Sequence, residues 1–285
     1  GLYLLVLIIV LWTVLPLIWM FLSSIFPYKE LISDRLDHWL PSRATFKHYT
    51  SFFNPEKEIS SRFLAALKNS LIIATVTTVV CLFFGSLAAY AVVRLKFRLK
   101  RTMVMSLMFV RMLPTITLVI PFFIIVNVID SGLISLFGRN VHLYDSKQLL
   151  IILYTSFILG FVIWIMRGFY LTMPEELEEA ARIDGLTRLQ TVFRIVMPLS
   201  ANGLVATGVL AFLLAWDEFI LALIFTRTAV AETLPLFIAE LGSQYIHDFT
   251  QISAAGFIAC IPPFLLVLIF QRFIVSGLTM GSVKG

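Results

Sequence analysis

Residues 175–198 read EELEEAARIDGLTRLQTVFRIVMP, a charged and helix-prone stretch between two strongly apolar runs. Four of its first five residues are glutamates, which suit the positive end of a helix. Thr172 and Glu175 also have the spacing of a capping box. We therefore predict a short helix from about Met173 to Asp184.

The second half of the stretch repeats a helix start. Gly185 stands where a left-handed residue would end the first helix, and Thr187 with Gln190 again has capping-box spacing. An apolar stripe at helical spacing follows at Leu189, Val192, Phe193 and Val196. The pattern predicts helix, glycine turn, helix.

The rest of the chain has the composition of a polytopic membrane protein. Its 285 residues are 59% apolar and 14% charged, with a mean hydropathy of +0.94. The net charge of +5 comes from dispersed basic residues, which indicates loops near anionic lipid rather than a nucleic-acid surface. Cys81 and Cys260 lie in apolar runs outside any C-x-x-C motif, so disulfide and metal sites are not predicted.

About 20 apolar residues are needed to cross a hydrocarbon layer of ~30 Å, and the sequence offers this six times. Pro262 and Pro263 predict a kink or a break in the last span. The chain has no initiator Met and no basic flank before its first apolar run, which predicts a short tail preceding Gly1. The predicted spans are Leu2 to Ile25, Leu71 to Val93, Met103 to Val128, Leu149 to Met166, Ala201 to Phe225 and Ile252 to Phe270.

Basic residues set the predicted orientation. RLKFRLKR (94–101) places five of them in one short connection, which assigns that connection to the cytoplasmic side. Both termini and the 172–198 loop are then cytoplasmic. We predict residues 1–27 as the first transmembrane helix, 28–68 as an extracytoplasmic segment, and 69–285 as the core with spans two to six.

The first predicted helix of the loop has features of a docking surface. Small side chains at Ala180 and Ala181 would let another backbone approach closely, and an exposed Glu179 could pair with a basic partner. The alternative is an ordinary capped surface helix, which a cytoplasmic loop of this length can form without any partner.

The spacing within the loop carries a family resemblance. Glu179, Ala180 and Ala181 are followed after three residues by Gly185, then after nine by Ile195, and by Met197–Pro198. This resembles the EAA loop of ABC-importer permeases, E-A-A-x3-G-x9-I-x-L-P, with methionine for leucine as the one departure. The resemblance implies that an ATPase is coupled through Glu179, Ala180, Ala181, Asp184, Gly185, Ile195 and Pro198.

Other stretches are similar to the maltose-type, carbohydrate-uptake group of these permeases. They are RMLPTITLVIPFF (111–123), AWDEFILALIF (215–225) and the ending GLTMGSVKG (277–285). Ser282 replaces the usual alanine of that ending, and Asp217 replaces the asparagine of the usual W-N-E-F. Gly281 and Lys284 would reach the ATPase by this resemblance, or form a frayed tail.

The resemblance implies an all-α, six-span permease of the type I importer fold in a prokaryotic plasma membrane. It would serve an ATP-driven, binding-protein-dependent sugar importer, with di- or oligosaccharides as the leading substrates and monosaccharides, sugar acids or glycerophosphates left open. The implied partners are a second permease in a heterodimer, two cytoplasmic ATPase subunits that hold ATP and Mg²⁺, and an extracytoplasmic sugar-binding protein. The chain itself would bind no cofactor and catalyse nothing. It contains no P-loop, H-E-x-x-H or G-x-S-x-G motif.

Charges inside spans are candidates for the substrate pathway. Arg111, Asp217 and Glu218 are such charges, although an Arg111–Glu218 ion pair or a position at the outer interface would explain them without substrate. Trp216 could stack on a sugar or anchor the chain at the interface. Asn127 is a further polar candidate for the pathway.

Two other classes of function compete. An ion-gradient-driven secondary transporter could use the same charges as a relay, but the chain shows no internal repeat and no paired broken helices. A membrane enzyme would need a cluster of Asp, His or Cys at a membrane surface, and none is evident in the sequence.

Overall fold

The computed structural model describes residues 1–33, 39–138, 142–244 and 248–280, with side chains described at all of these except 111, 243, 244 and 276–280. Every regular element within these ranges is helical, so the predicted all-α class is confirmed. The helices are α1 Leu2–Ile25, α2 Tyr28–Leu31, α3 Lys47–Phe53, α4 Glu58–Arg94, α5 Lys100–Met112, α6 Thr115–Phe137, α7 Lys147–Leu171, α8 Glu176–Ile183, α9 Arg188–Thr191, a π-helical turn Val192–Val196, α10 Met197–Leu199, α11 Ala201–Trp216, α12 Ile220–Phe225, α13 Leu234–Gln244 and α14 Phe249–Met280.

Five helices of the described ranges are long and apolar enough to cross a membrane: α1, α4, α6, α7 and the Phe249–Val275 part of α14. A sixth span exists if Arg188–Leu199 and α11, which meet at a bend of 79°, are counted as one. The first, second, fourth and sixth predicted spans each lie within one of these helices.

The third predicted span is wrong as a single helix. The chain breaks between Met112 and Thr115, and Leu113 is extended with φ −73° and ψ 127°. Pro114 explains the break, because proline disfavours the helical conformation of the residue before it and begins a new helix well. The span that is long enough to cross is therefore α6, not Met103 to Val128.

Two further expectations about helix continuity need correction. The fifth predicted span is divided into α11 and α12 by residues 217–219. Conversely, α14 continues through Pro262 and Pro263, so of the predicted kink or break the break does not occur, and the kink stays a prediction. The prolines remove only two backbone donors, and the hydrogen bonds before and after them still hold a helix of 32 residues.

The chain divides into two compact units. The first comprises Gly1–Ser70 and Glu232–Phe264. In its interior Phe63 stacks on Phe52 with ring centroids 4.5 Å apart and meets Phe237 edge-on at 5.7 Å. The guanidinium of Arg62 binds both oxygens of the buried Glu232, at 2.5 and 2.9 Å, and also pairs with Glu240. These contacts fix the start of α4 against α13.

A second polar cluster of this unit joins α3 to the first turn of α14. The Nε2 atom of buried His48 lies 2.9 Å from the Thr250 hydroxyl and 3.7 Å from an Asp248 carboxylate oxygen. The other Asp248 oxygen accepts the Thr250 and Gln251 backbone N–H groups at 3.2 Å and caps the helix. His48 therefore contacts the capping residues of α14.

The second unit comprises Leu71–Ala231 and Leu265–Gly285 and is built around α7. Glycines on the neighbouring helices allow close packing: an added Cβ at Gly85 would lie 2.6 Å from Val162, and one at Gly203 would lie 2.6 Å from the Phe169 ring. Small residues at such contacts let membrane helices approach closely. Thus α4 and α11 pack tightly against α7; α7 leads into the 172–198 loop, and α11 follows it.

Candidate functional site

The 172–198 loop, which we name the EAA segment, folds as a helix, a glycine turn and a second helix. Helix α8 ends in a Schellman motif: the N–H groups of Leu186 and Gly185 donate to the carbonyls of Ala181 and Arg182, each at 3.1 Å. Gly185 has φ +88°, so the predicted left-handed terminator is confirmed.

Only the second of the two predicted capping boxes forms. Thr187 N–H donates to the Gln190 side chain at 2.8 Å, and Gln190 N–H returns a bond of 3.4 Å to the Thr187 hydroxyl. At the first, Thr172 donates its hydroxyl to the Phe169 carbonyl instead, because α7 continues as far as Leu171. Helix α8 begins after Glu175 without a side-chain cap, three residues later than predicted.

The adjacent glutamates Glu178 and Glu179 of α8 differ in burial and in their contacts. Glu178 is 12% exposed and points towards the end of α4, where its two oxygens bind Arg94 Nε at 2.7 Å and the Tyr90 hydroxyl at 2.8 Å. Glu179 is exposed, and no ion pair is formed by it within the described part of the chain. The outward acid is thus the one that the EAA motif singles out.

The other predicted coupling residues are divided between surface and interior. Ala180, Asp184 and Pro198 are exposed, Ile195 is half-buried, and Ala181 is buried within this chain. The expectation that both alanines face a partner is therefore wrong for Ala181, which packs inside because it lies on the face of α8 turned towards the rest of the loop.

The predicted apolar stripe of the second helix also splits. Val192 and Val196 are buried, whereas Leu189 is 65% and Phe193 45% exposed. The reason is the π-helical turn at Val192–Val196, whose wider hydrogen-bonding pattern removes the regular phase of an α-helix. Leu177 and the 87% exposed Ile183 of α8 are exposed as well, so the EAA segment has apolar as well as acidic side chains at its surface.

A polar cavity of about 110 Å³ lies between the end of α4 and the EAA segment. It is lined by Tyr90, Arg94, Glu175, Glu178, Glu179, Arg182, Arg188 and Thr191. The sequence had indicated Arg94 only as a topological charge. No local sequence pattern signals the contacts of Arg94 with the EAA segment, because they join residues separated by 79 to 84 positions.

A larger cavity, of about 600 Å³, contains two of the predicted pathway residues. Asp217 and Glu218 line it together with mostly apolar side chains of α7, α11 and α12. Trp216 does not line it: the indole is buried and stacks on Phe212 at 5.7 Å. The structure thus brings Asp217 and Glu218 to one cavity and turns Trp216 away.

Glu218 has a structural role in that cavity wall. Its carboxylate accepts the backbone N–H groups of Leu221 at 3.0 Å and Ala222 at 3.4 Å, and so caps the first turn of α12. An acid directly before the apolar run ILALIF was the sequence signal for this cap. Asp217, in contrast, is exposed to the cavity.

The remaining predicted residues are less informative. Asn127 lies on α6, is exposed, and donates its side-chain N–H to the Phe123 carbonyl at 2.9 Å. Arg111 lies in α5, and its side chain is outside the described set, as are Gly281 and Lys284 altogether. No group of His, Cys, Asp and Glu able to hold a metal ion occurs among the residues that the structure describes.

Comparisons with known proteins give the family and support the fold. The family described as the binding-protein-dependent transport system inner membrane component matches residues 81–280. The chain is 37% identical to the trehalose transport system permease protein SugB of Mycobacterium tuberculosis over 276 residues, which cover 96% of this chain and 93% of the relative. It is 32% identical to the diacetylchitobiose uptake permease DasC of Streptomyces coelicolor, covering 95% and 92%.

A third relative and a solved structure extend the comparison. The trehalose/maltose transport permease MalG of Thermococcus litoralis is 33% identical, covering 95% of this chain and 91% of the relative. A bacterial ABC transporter that imports the acidic polysaccharide alginate contains a chain that superposes with a TM-score of 0.73 at 22% identity, covering 95% of this chain and 94% of that one. That structural likeness supports the fold.

Proposed function

The chain belongs to the family of binding-protein-dependent transport system inner membrane components, as an ABC-importer permease, and from this premise we propose that it forms half of the pathway of a sugar importer and couples that pathway to a partner ATPase. A second permease would supply the other half. An extracytoplasmic binding protein would deliver the sugar, and ATP with Mg²⁺ would bind to the ATPase subunits only.

The observation that carries the coupling proposal is the exposed face of α8. Glu179 and Ala180 are both exposed there, and apolar side chains at Leu177 and Ile183 are exposed on the same short helix. An exposed acid beside a small residue and apolar surface is suited to a cleft that offers a basic group and a hydrophobic wall. We propose that this face docks on the ATPase, on the cytoplasmic side that RLKFRLKR predicts.

The substrate class is proposed from the relatives. SugB, DasC and MalG are named for trehalose, diacetylchitobiose and trehalose or maltose, which are all disaccharides. The cavity beside Asp217 has a volume of about 600 Å³, within the usual range of ligand pockets. We propose that it forms part of the path of a di- or oligosaccharide, with Asp217 as the polar contact and Glu218 as the structural cap.

The coupling proposal is tested by the charge of Glu179. The transporter complex is purified through a tag on the permease, with Glu179→Lys and the control Glu56→Lys, an exposed acid of the predicted extracytoplasmic segment. We expect Glu179→Lys to reduce the ATPase that co-purifies and trehalose uptake into ATP-loaded proteoliposomes, while Glu56→Lys keeps the ATPase bound. Full retention of the ATPase by Glu179→Lys would contradict the docking role. Uptake driven by an ion gradient without ATP would support a secondary transporter instead.

A further inference from the structure

Arg94, the last residue of α4, holds the start of the EAA segment by three polar contacts. Its Nε donates to Glu178 at 2.7 Å, one terminal nitrogen donates to Glu175 at 3.1 Å, and the other donates to the Met173 carbonyl at 2.8 Å. The side chain of Arg94 is only 11% exposed. Salt screens such a partly buried pair much less than a surface pair.

Tyr90 completes this arrangement from the same face of α4. It precedes Arg94 by four residues, which places both side chains one above the other on the helix. The Tyr90 hydroxyl donates to the Glu178 oxygen that Arg94 does not bind. Both oxygens of Glu178 are therefore held by α4, and Glu178 is not available to an external partner.

The two neighbouring acids of α8 thus have different connections. Glu178 joins α8 to the end of α4, while Glu179, the next residue of the same helix, is exposed at the rim of the same cavity. Within the second unit α4 is continuous from Leu71 to Arg94, so its membrane-spanning part has no helix break that would absorb a displacement of its end. The contacts to Arg94 and Tyr90 join α8 to α4, in addition to the packing of α8 against α9 and the π-helical turn.

We infer that Tyr90 and Arg94 clamp Glu178 so that α8 and α4 move as one body, which delivers the displacement of α8 by the ATPase to this span. Tyr90 and Arg94 are positioning residues, and the inference rests on the proposed docking of α8. Arginine suits the role because its planar fork reaches two carboxylates and a carbonyl together, which the single ammonium group of lysine cannot do.

The inference predicts a constant distance between α8 and α4. Spin labels are placed at Glu176→Cys on α8 and Phe84→Cys on α4, both exposed positions, in a chain with Cys81→Ala and Cys260→Ser. Distance distributions are measured by pulsed electron paramagnetic resonance on the complex with its ATPase subunits, with and without ATP. We expect the same narrow distribution in both states. A change in the distance between the two labels when ATP is added, with Tyr90, Arg94 and Glu178 all intact, would overturn the inference.

Variants of the clamp give the complementary result. In Glu178→Gln and Arg94→Gln the distance between the labels on α8 and α4 should no longer be constant: its distribution should be broader and should change when ATP is added. Arg94→Lys should give a distribution of intermediate width. Arg98→Gln removes a neighbouring exposed charge and should change nothing. If Arg94→Gln fails to assemble, Tyr90→Phe, which removes only a hydroxyl, decides: broadening supports the clamp, and a wild-type distribution contradicts it.

The docking of α8 on the ATPase and the clamp on Glu178 are tested separately. If Glu179→Lys releases the ATPase but the clamp variants keep the wild-type distance distributions, docking stands and the clamp is refuted. If Glu179→Lys leaves the ATPase bound, the docking role fails, whatever the distance measurements show.

Discussion

At the scale of single residues, Gly185 has the most restrictive backbone in the EAA segment. Its φ of +88° lies in the left-handed region, yet an added Cβ would have no heavy atom within 4 Å. The penalty of Gly185→Ala is therefore a backbone penalty alone, about 1–2 kcal/mol. We expect lower thermal stability and weaker ATPase retention, with Gly185→Asn less affected because asparagine tolerates this conformation better.

Gly168 provides the matched control for that substitution. It also has open space around an added Cβ, but it lies inside α7. Alanine there should be neutral or stabilising by up to about 1 kcal/mol. Equal thermal shifts for Gly185→Ala and Gly168→Ala would show that φ at Gly185 does not limit the segment.

Substitutions of the neighbouring acids Asp217 and Glu218 are expected to differ in effect: the first should change transport, and the second should change stability. Glu218→Ala removes the cap of α12 and should destabilise the protein by about 1 kcal/mol, seen as a lower thermal midpoint in detergent. Asp217→Asn should leave the midpoint unchanged, since Asp217 is exposed to the cavity, and should alter the concentration dependence of uptake of the proposed di- or oligosaccharide substrate. A lower midpoint for Asp217→Asn with unchanged uptake would contradict the role of Asp217 in transport and indicate a role in stability.

The same residues show how far the sequence can predict a site. The run EELEE contains four acids, and the motif alone selects Glu179. Which acid faces inward depends on Arg94 and Tyr90, which lie more than 80 positions away in the chain. The sequence therefore predicts the position of the loop and its glycine turn, whereas the orientation of each side chain follows from tertiary contacts.

At the scale of the elements, local rules predicted helix ends better than helix continuity. The glycine terminator and one capping box were confirmed because their hydrogen bonds lie within a few residues. Proline gave opposite outcomes: Pro114 separates α5 from α6, while Pro262 and Pro263 lie inside α14. Proline removes a donor in both cases, and whether the helix then breaks depends on what packs around it.

The contact between α3 and α14 predicts a pH dependence of stability. Burial lowers the pKa of His48 from its ordinary value of 6.5; Asp248 opposes this shift, and Lys47 and Lys57 add to it. The folded protein therefore keeps His48 neutral at pH values where the unfolded chain binds a proton. The stabilisation is full above pH 6.5 and is lost as the pH falls below that value towards the lowered pKa.

Thermal unfolding of the purified chain in detergent measures this effect. We expect the midpoint to fall between about pH 7 and about pH 5, and His48→Gln to reduce the slope of that fall. His142→Gln is the control, because the His142 side chain is 53% exposed. Identical slopes for His48→Gln and the wild type would show that His48 is not the origin of the pH dependence.

At the scale of the whole molecule, the number of crossings decides which loops share a side of the membrane. Within the residues that the structure describes, five helices are each long and apolar enough to span a membrane, and a sixth crossing depends on the bent stretch from Arg188 to Trp216. Helix α11 has 16 residues and α12 adds six, so the two together have about the length that a bilayer requires. We expect α11 and α12 together to cross the membrane, which places the EAA segment and residues 226–233 on opposite sides.

Cysteine accessibility in intact cells tests that topology. Single cysteines replace Glu176 in the EAA segment and Val230 beyond α12, both exposed, in a background without Cys81 and Cys260. A membrane-impermeant maleimide should label Val230→Cys and spare Glu176→Cys until the cells are permeabilised. The basic connection at Arg98→Cys should behave like Glu176→Cys, because the orientation follows from its charge. Labelling of both Glu176→Cys and Val230→Cys from outside would mean that α11 and α12 do not cross, and the ATPase could then not reach α8.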